Sequence, residues 1–330
     1  MINMRHFLLT KFFVNKLFIN KFETKKIIVI AITACVQATA SAESIVDSIN
    51  NGGAASIEQE AICYLPTESN VSYQDMLALL TQSPDHVIAY GDNQFQFGEL
   101  WLPKSNALEQ QNAQAGEPSI RHPLVVFIHG GCWLNSFDIQ HTHALSTALM
   151  GAGYAVWSVE YRRTGDVGGA WPGTYHDIKR AIEYLPQLSA YPVDLNNVAL
   201  VGHSAGGHLA LLAGSENLYE FDAVIGLAAI VDIERYAEGD NSCQIATPQF
   251  MGGAFADNEN AYNKANPAKY EPHASTVLIH GSADEIVDVK QASYLASNSH
   301  IINGAGHFDM LHPGTQSYQA LLKELAKAFK

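Results

Sequence analysis

The chain has 330 residues, long enough for one large domain or for a domain carrying a modest insertion. Hydrophobic residues make up 47% and charged residues 16%, a balance that excludes a predominantly disordered chain. The formal charge is -14, and beyond residue 26 the count is 13 basic against 32 acidic side chains, a surface that repels phosphate backbones and argues against a nucleic-acid partner.

Residues 1–26 hold Arg5, Lys11, Lys16, Lys21, Lys25 and Lys26 against Glu23. The stretch IIVIAITACVQATASA then supplies a short apolar run and small residues suited to cleavage, the order of an export signal. Cleavage near Ala40 or Ala42 would make residues 1–42 the signal. ITAC, ending at Cys35, also resembles a bacterial lipoprotein box, which would leave a lipidated cysteine; an uncleaved anchor is a further option. An amphipathic helix lying on the domain is the alternative to export. The expected location is periplasmic or extracellular, with membrane association only through this segment. No stretch approaches the ~20 apolar residues needed to span a bilayer. Cys63, Cys132 and Cys243 lie beyond the signal; one disulfide is possible, but three cysteines cannot all pair within one chain. Neither a CxxC pair nor a histidine-rich cluster with structural zinc spacing occurs, and no metal or organic cofactor is expected.

Residues 43–84 read as a leader, helical or extended, before a catalytic domain over 85–330. HVIAYG and FQFGELWLP resemble an antiparallel hairpin at a sheet edge, and 104–120 is a surface loop by composition. PLVVFIHG at 123–130 is almost wholly apolar, as a strand covered on both faces should be. A helix near 141–152 leads to a strand at 153–162. Over 174–189, Ile178, Ile182 and Leu185 share one helical face. Further strands are expected at 197–204, 221–230, 275–281 and 300–304, then a helix from about 315 to 329 with Leu321, Leu322, Leu325 and Phe329 inward. Strands of this length alternating with helices predict an α/β fold, a mostly parallel, doubly wound sheet with helices on both faces. The stretch 232–272 breaks the alternation; it is either a small cap or a long connection.

Gly202-His203-Ser204-Ala205-Gly206 follows an apolar strand directly. A nucleophile on a sharp strand-to-helix turn needs small neighbours, because two backbones come close there. FIHGGCW at 127–133 ends an earlier strand with two glycines, so the N–H groups of Gly131 or Cys132 can join that of Ala205 in stabilising an oxyanion. Trp133 can line a pocket or cover the core. The other members should follow in chain order as acid and then histidine. Asp284 in LIHGSADEIVD and His307 in GAGHFD occupy those places, and Asp288 is the competing acid. His129, His203 and His208 read as structural. Asp177 is placed to favour a helix N-terminus, and Glu160, Arg162 and Arg163 as an ion network.

HGGCW, VEYRR, WPGTYHDI, GHSAGGHLA, HGSADEIV and GAGH together resemble the α/β-hydrolase superfamily over about 85–325. The likeness is to the hormone-sensitive-lipase-like and kynurenine-formamidase-like esterases, a bacterial branch that includes feruloyl and acetyl-xylan esterases. The resemblance implies Ser204 as nucleophile, Asp284 as acid, His307 as base and the 130–132 turn as oxyanion loop. It also implies hydrolysis of small-molecule carboxylic esters with a small or aromatic acyl group. Cys132 stands where the lipase branch often has a third glycine, which favours the formamidase-like side. Arylformamidase is therefore an alternative, followed by a prolyl-oligopeptidase-like peptidase and a nonenzymatic ligand-binding protein.

Overall fold

Eight strands make one sheet in the order β1-β2-β4-β3-β5-β6-β7-β8. They are β1 (His86–Ala89), β2 (Phe97–Trp101), β3 (His122–Ile128), β4 (Ala155–Val159), β5 (Val193–His203), β6 (Ala223–Leu227), β7 (Thr276–Gly281) and β8 (Asn298–Ile302). The computed structural model describes residues 62–104 and 120–330. The export signal, Cys35, most of the leader and nearly all of the 104–120 loop lie outside the described residues. Residues from Tyr64 to Lys330 form one compact unit.

The β1–β2 hairpin runs antiparallel, and β2 also pairs antiparallel with β4. From β4 across to β8 every pairing is parallel. Parallel strands require crossovers, and these carry the helices to both faces. The central segments are Val, Ile and Leu rich, and β4, β6 and β7 are buried at every position. Two apolar layers result. One packs Ile178, Ile182, Leu185, Leu209 and Leu212 against one face of the sheet. The other packs Leu145, Leu149, Leu321 and Leu325 against the opposite face.

The helices are α1 (Tyr73–Leu77), α2 (His143–Gly151), α3 (Gly173–Glu183), α4 (Ala205–Ser215), α5 (Ile233–Tyr236), α6 (Ser242–Met251), α7 (Phe255–Ala265) and α8 (Gln316–Ala328). Several expected boundaries shift; the strands expected at 153–162 and 221–230 shorten to Ala155–Val159 and Ala223–Leu227. The helix expected over 174–189 ends at Glu183 and continues as a 3-10 turn over Leu185–Ala190, where Pro186 sits at its start. Strand β5 begins at Val193, earlier than expected, with a register shift opposite Pro123 and Leu124. Strand β8 is Asn298–Ile302 rather than 300–304. Leu321 and Leu325 are fully buried on α8, while Leu322 and Phe329 pack at the edge of the same layer.

The segment 64–84, expected in a leader, belongs to the same compact unit as the sheet. Ser72 caps α1 in a reciprocal pair with Asp75. Just before it, the backbone N–H groups of Asn70 and Val71 donate to Asp309, at 2.9 and 3.0 Å. The 232–272 stretch folds into α5, α6, α7 and a 3-10 turn, not into an open connection. Asn241 caps α6 by bonding Gln244 N–H, and Gly252 ends that helix in the left-handed region.

Candidate active site

Strand β5 leads into α4 through a single residue, Ser204, at φ 56° and ψ -120°. A non-glycine residue there costs on the order of 1–3 kcal/mol and persists only where its surroundings over-determine it. Here they do: Ser204 N–H donates to Leu227 O at 2.9 Å, and its carbonyl accepts from His208 N–H at 3.0 Å. The flanking glycines are sterically required. A Cβ at Gly202 would lie 2.3 Å from Gly206 O, and one at Gly206 would lie 2.2 Å from Ile128 O. The turn thus presses α4 against the end of β3.

The loop after β3 lies alongside. A Cβ at Gly130 would stand 3.0 Å from the Ser204 Cβ. Gly131, Cys132 and Trp133 then all take positive φ, at 109°, 54° and 57°. Two of the three carry side chains, each costing roughly 1–2 kcal/mol in this region, so the loop needs external support. Glu160 supplies much of it from the end of β4. Its Oε1 accepts from Tyr161 N–H at 2.7 Å and lies 3.0 Å from His129 Nε2. Its Oε2 accepts from Ile139 N–H at 3.1 Å and from Arg163 Nη1 at 3.2 Å. Burial raises the Glu160 pKa, but His129, Arg163 and the Tyr161 N–H outweigh it, and the net shift is downward. A second arm comes from Arg163 Nη1 to Phe137 O at 2.6 Å, and a third from Thr164 N–H to Trp133 O at 2.8 Å.

His307 follows β8. Its Nδ1 donates to Asp284 Oδ2 at 2.8 Å, which leaves Nε2 as the ring's acceptor. The Asp284 side chain is fully buried. Its Oδ1 accepts from Ile286 N–H at 2.9 Å and Val287 N–H at 2.8 Å. Burial acts to raise its pKa, but the neighbouring His307 and the bonds from His280, His307 and Val287 N–H hold it well below the usual carboxylate range. The carboxylate is therefore ionised at neutral pH. Asp288, the competing acid, is exposed and caps a 3-10 turn through Lys290 N–H at 2.8 Å.

His203 ties the histidine loop to the serine turn. Its Nε2 donates to His307 O at 3.1 Å, and the two rings are 4.6 Å apart. Burial and the neighbouring His307 push its pKa well below the ordinary histidine value, so the ring is neutral. Burial likewise lowers His208 to about 4, and its Nε2 donates to Ala265 O at 2.6 Å. Both histidines therefore join elements together.

Ser204, Asp284, His307, Gly131, Cys132 and Ala205 all follow the C-terminal ends of β3, β5, β7 and β8: Gly130 abuts Ser204, His307 bonds Asp284, and His203 joins the His307 loop to the serine turn. Of the two environments open to Trp133, pocket wall or core cover, the structure places it in the core: it is fully buried and stacked on Phe250 at 4.7 Å. Asp177 departs from its expected place. It lies a full turn inside α3, pairing with Arg162 and Gln96 instead of favouring the helix start. Several participants carry no local signal. Asp309 gathers Asn70, Val71 and Gly306 N–H groups beside His307. Tyr73, Phe137 and Phe308, from three distant segments, form a half-buried aromatic cluster with Tyr73 5.2 Å from Phe308 and 6.0 Å from Phe137. Cys132 and Cys243 form a disulfide. Among the described residues no group of three or more His, Cys, Asp or Glu side chains is arranged to hold a metal.

A family model described as BD-FAE matches residues 113–298, which include the serine turn, the loop after β3 and Asp284. The chain belongs to the BD-FAE family. This BD-FAE member is 24% identical over 253 residues to Esterase LipC of Mycobacterium tuberculosis (strain ATCC 25618 / H37Rv), covering 68% of this chain and 60% of LipC. It is 40% identical over 112 residues to neutral cholesterol ester hydrolase 1 of Rattus norvegicus, covering 32% of this chain and 27% of that protein. The chain therefore spans less than two thirds of these relatives' length. In fold it resembles a truncated carbohydrate esterase from gut microbiota, with a TM-score of 0.61 at 20% identity over 75% of this chain and 96% of that one. The shared fold is that of the α/β-hydrolases.

Proposed function

We propose that this BD-FAE member is a serine hydrolase of carboxylic esters, with Ser204 as nucleophile, His307 as general base and Asp284 as its orienting acid. One observation carries the reading: an ionised, buried Asp284 bonded to His307 Nδ1 at 2.8 Å, in a loop tied to the residue before Ser204. Asp284 holds the imidazole in the tautomer whose Nε2 can take the seryl proton. Ser204 Oγ attacks the ester carbonyl, and the backbone N–H groups of Ala205, Gly131 and Cys132 receive the developing oxyanion. His307 returns the proton to the departing alcohol, and water then releases the acyl group by the same route.

A small or aromatic acyl group suits the narrow loop at 130–132 and the half-buried Tyr73, Phe137 and Phe308 rings. The helices over 233–265 act as the cap. Their attachment to the loop after β3, through Cys243 and Phe250, supports that role. Export is supported by the Cys132–Cys243 disulfide, since such bonds persist in oxidising compartments. Cleavage of the signal, or lipidation at Cys35, is read by intact-mass analysis of membrane and soluble fractions.

The test uses purified protein, a serine-reactive fluorophosphonate and a panel of substrates: p-nitrophenyl acetate and butyrate, acetylated sugars, feruloyl esters, peptide amides and N-formylkynurenine. Labelling and ester turnover are expected for the wild type and are lost in Ser204→Ala. Turnover that survives Ser204→Ala overturns the proposal, and a preference for N-formylkynurenine over every ester replaces it with an arylformamidase.

A further inference from the structure

Cys132 occupies the middle of the turn that carries the oxyanion donors, between Gly131 and Trp133, with a backbone φ of 54°. A side chain disfavours that conformation, whereas glycine adopts it freely. The supports from the β4 side act at His129, Trp133, Phe137 and Ile139, on either side of Cys132. Cys132 itself is bonded through sulfur to Cys243 in the first turn of α6, across 111 residues of sequence with the Cα atoms 5.0 Å apart. Its neighbour Trp133 stacks on Phe250 of the same helix at an interplanar angle of 7°. Helix α6 therefore grips the turn at Cys132, where the β4 supports do not act, and shares Trp133 with them.

We propose that the Cys132–Cys243 disulfide is a positioning element of the oxyanion hole. It holds residue 132 in the left-handed region, so that its peptide N–H stays aimed at the reacting carbonyl oxygen. If φ at residue 132 relaxes to negative values, the adjoining peptide plane rotates and the donor swings away. The same bond couples the geometry of the loop to α6, so motion of that helix reaches the catalytic donors directly. This inference rests on the reading of residues 131–132 as the oxyanion loop.

Cys243→Ala removes the crosslink without altering the loop sequence. Deleting one oxyanion donor costs about 10²–10³ in kcat; a donor merely misaligned should cost about tenfold. The expected result is that fall in kcat with KM within about twofold, in a protein that circular dichroism shows to be folded. Placing Cys132→Gly in the Cys243→Ala background removes the strain and should return kcat to within about threefold of wild type. A single variant as fast as wild type, or a double variant as slow as the single one, overturns the proposal. If Cys243→Ala does not fold, folded wild type is titrated with a phosphine. That reagent converts the disulfide to two thiols while taking an oxygen atom from water to become phosphine oxide. Alkylation and peptide mapping then give the reduced fraction at Cys132, and kcat should fall with it; undiminished kcat in the reduced, folded enzyme overturns the proposal. Turnover surviving Ser204→Ala would remove the underlying reading. An inactive Ser204→Ala beside a fully active Cys243→Ala would remove this inference alone.

Discussion

Replacing Asp284 by asparagine should cost about 10⁴-fold in kcat, or about 5 kcal/mol, while leaving the fold intact. The size follows from how the carboxylate is held. Oδ1 accepts two backbone N–H groups, from Ile286 and Val287, and Oδ2 accepts from His307 Nδ1. An asparagine side chain satisfies both backbone donors only with its oxygen in the Oδ1 position. Its NH₂ then faces His307 Nδ1, which must become an acceptor, and the ring proton moves to Nε2. An imidazole in that tautomer cannot take the proton of Ser204. Turning the amide over restores the ring but sets NH₂ against two N–H donors, each unsatisfied group costing about 1–3 kcal/mol. The inactive arrangement is therefore favoured by at least about 2 kcal/mol. The assay is kcat on p-nitrophenyl acetate and the rate of fluorophosphonate labelling, with circular dichroism and Tm as controls for folding. Asp288→Asn, at the exposed turn, should change kcat by less than about twofold. An Asp284→Asn enzyme within tenfold of wild type would refute the reasoning.

The same carboxylate predicts an acid limb in stability. Its native pKa is depressed, whereas the unfolded carboxyl titrates near the ordinary value of about 3.9. The contribution is thus complete above that unfolded value and is lost as pH falls toward the native one, because the unfolded chain takes up the proton first. Urea midpoints from pH 6 to pH 2 should fall less steeply for Asp284→Asn than for wild type. Asp309→Ala leaves the N–H groups of Asn70, Val71 and Gly306 without their acceptor. It should lower stability by on the order of 3 kcal/mol in urea unfolding, and should lower kcat as well because the His307 loop is freed. Gly206→Ala sets a methyl against two backbone carbonyls, Ile128 O at 2.2 Å and His129 O at 2.3 Å. A loss of about 3 kcal/mol or more is expected. Gly151→Ala, at the end of α2 with open space around the new methyl, should instead gain about 0.5 kcal/mol, read from Tm.

Local pattern carried the architecture a long way. The apolar run at 123–130 and the five parallel strands after it alternate with helical segments, and the central strands read as apolar because a strand buried on both faces has little room for polar side chains. The serine turn is equally local: Gly202 and Gly206 are dictated by backbones 2.3 and 2.2 Å from any added methyl, and so they print as a motif. Asp284 and His307 were named from chain order; each follows a strand whose C-terminal end faces the same edge of the sheet, and the two side chains bond at 2.8 Å. What adjacency in the chain could not reveal were pairings between distant segments. Asp309 meets Asn70 across 239 residues, Glu160 meets His129 across 31, and Cys132 finds Cys243 across 111. Trp133 also had two possible environments, and only the stacking of Phe250 from α6 assigned it to the core. Strand and turn propensities act over a few residues, so the chain itself dictated the sheet, its order of elements and the glycines of the elbow. Which charges are neutralised, which cysteines join and which aromatic rings meet depended on three-dimensional packing, because each needs a partner that no neighbouring residue supplies.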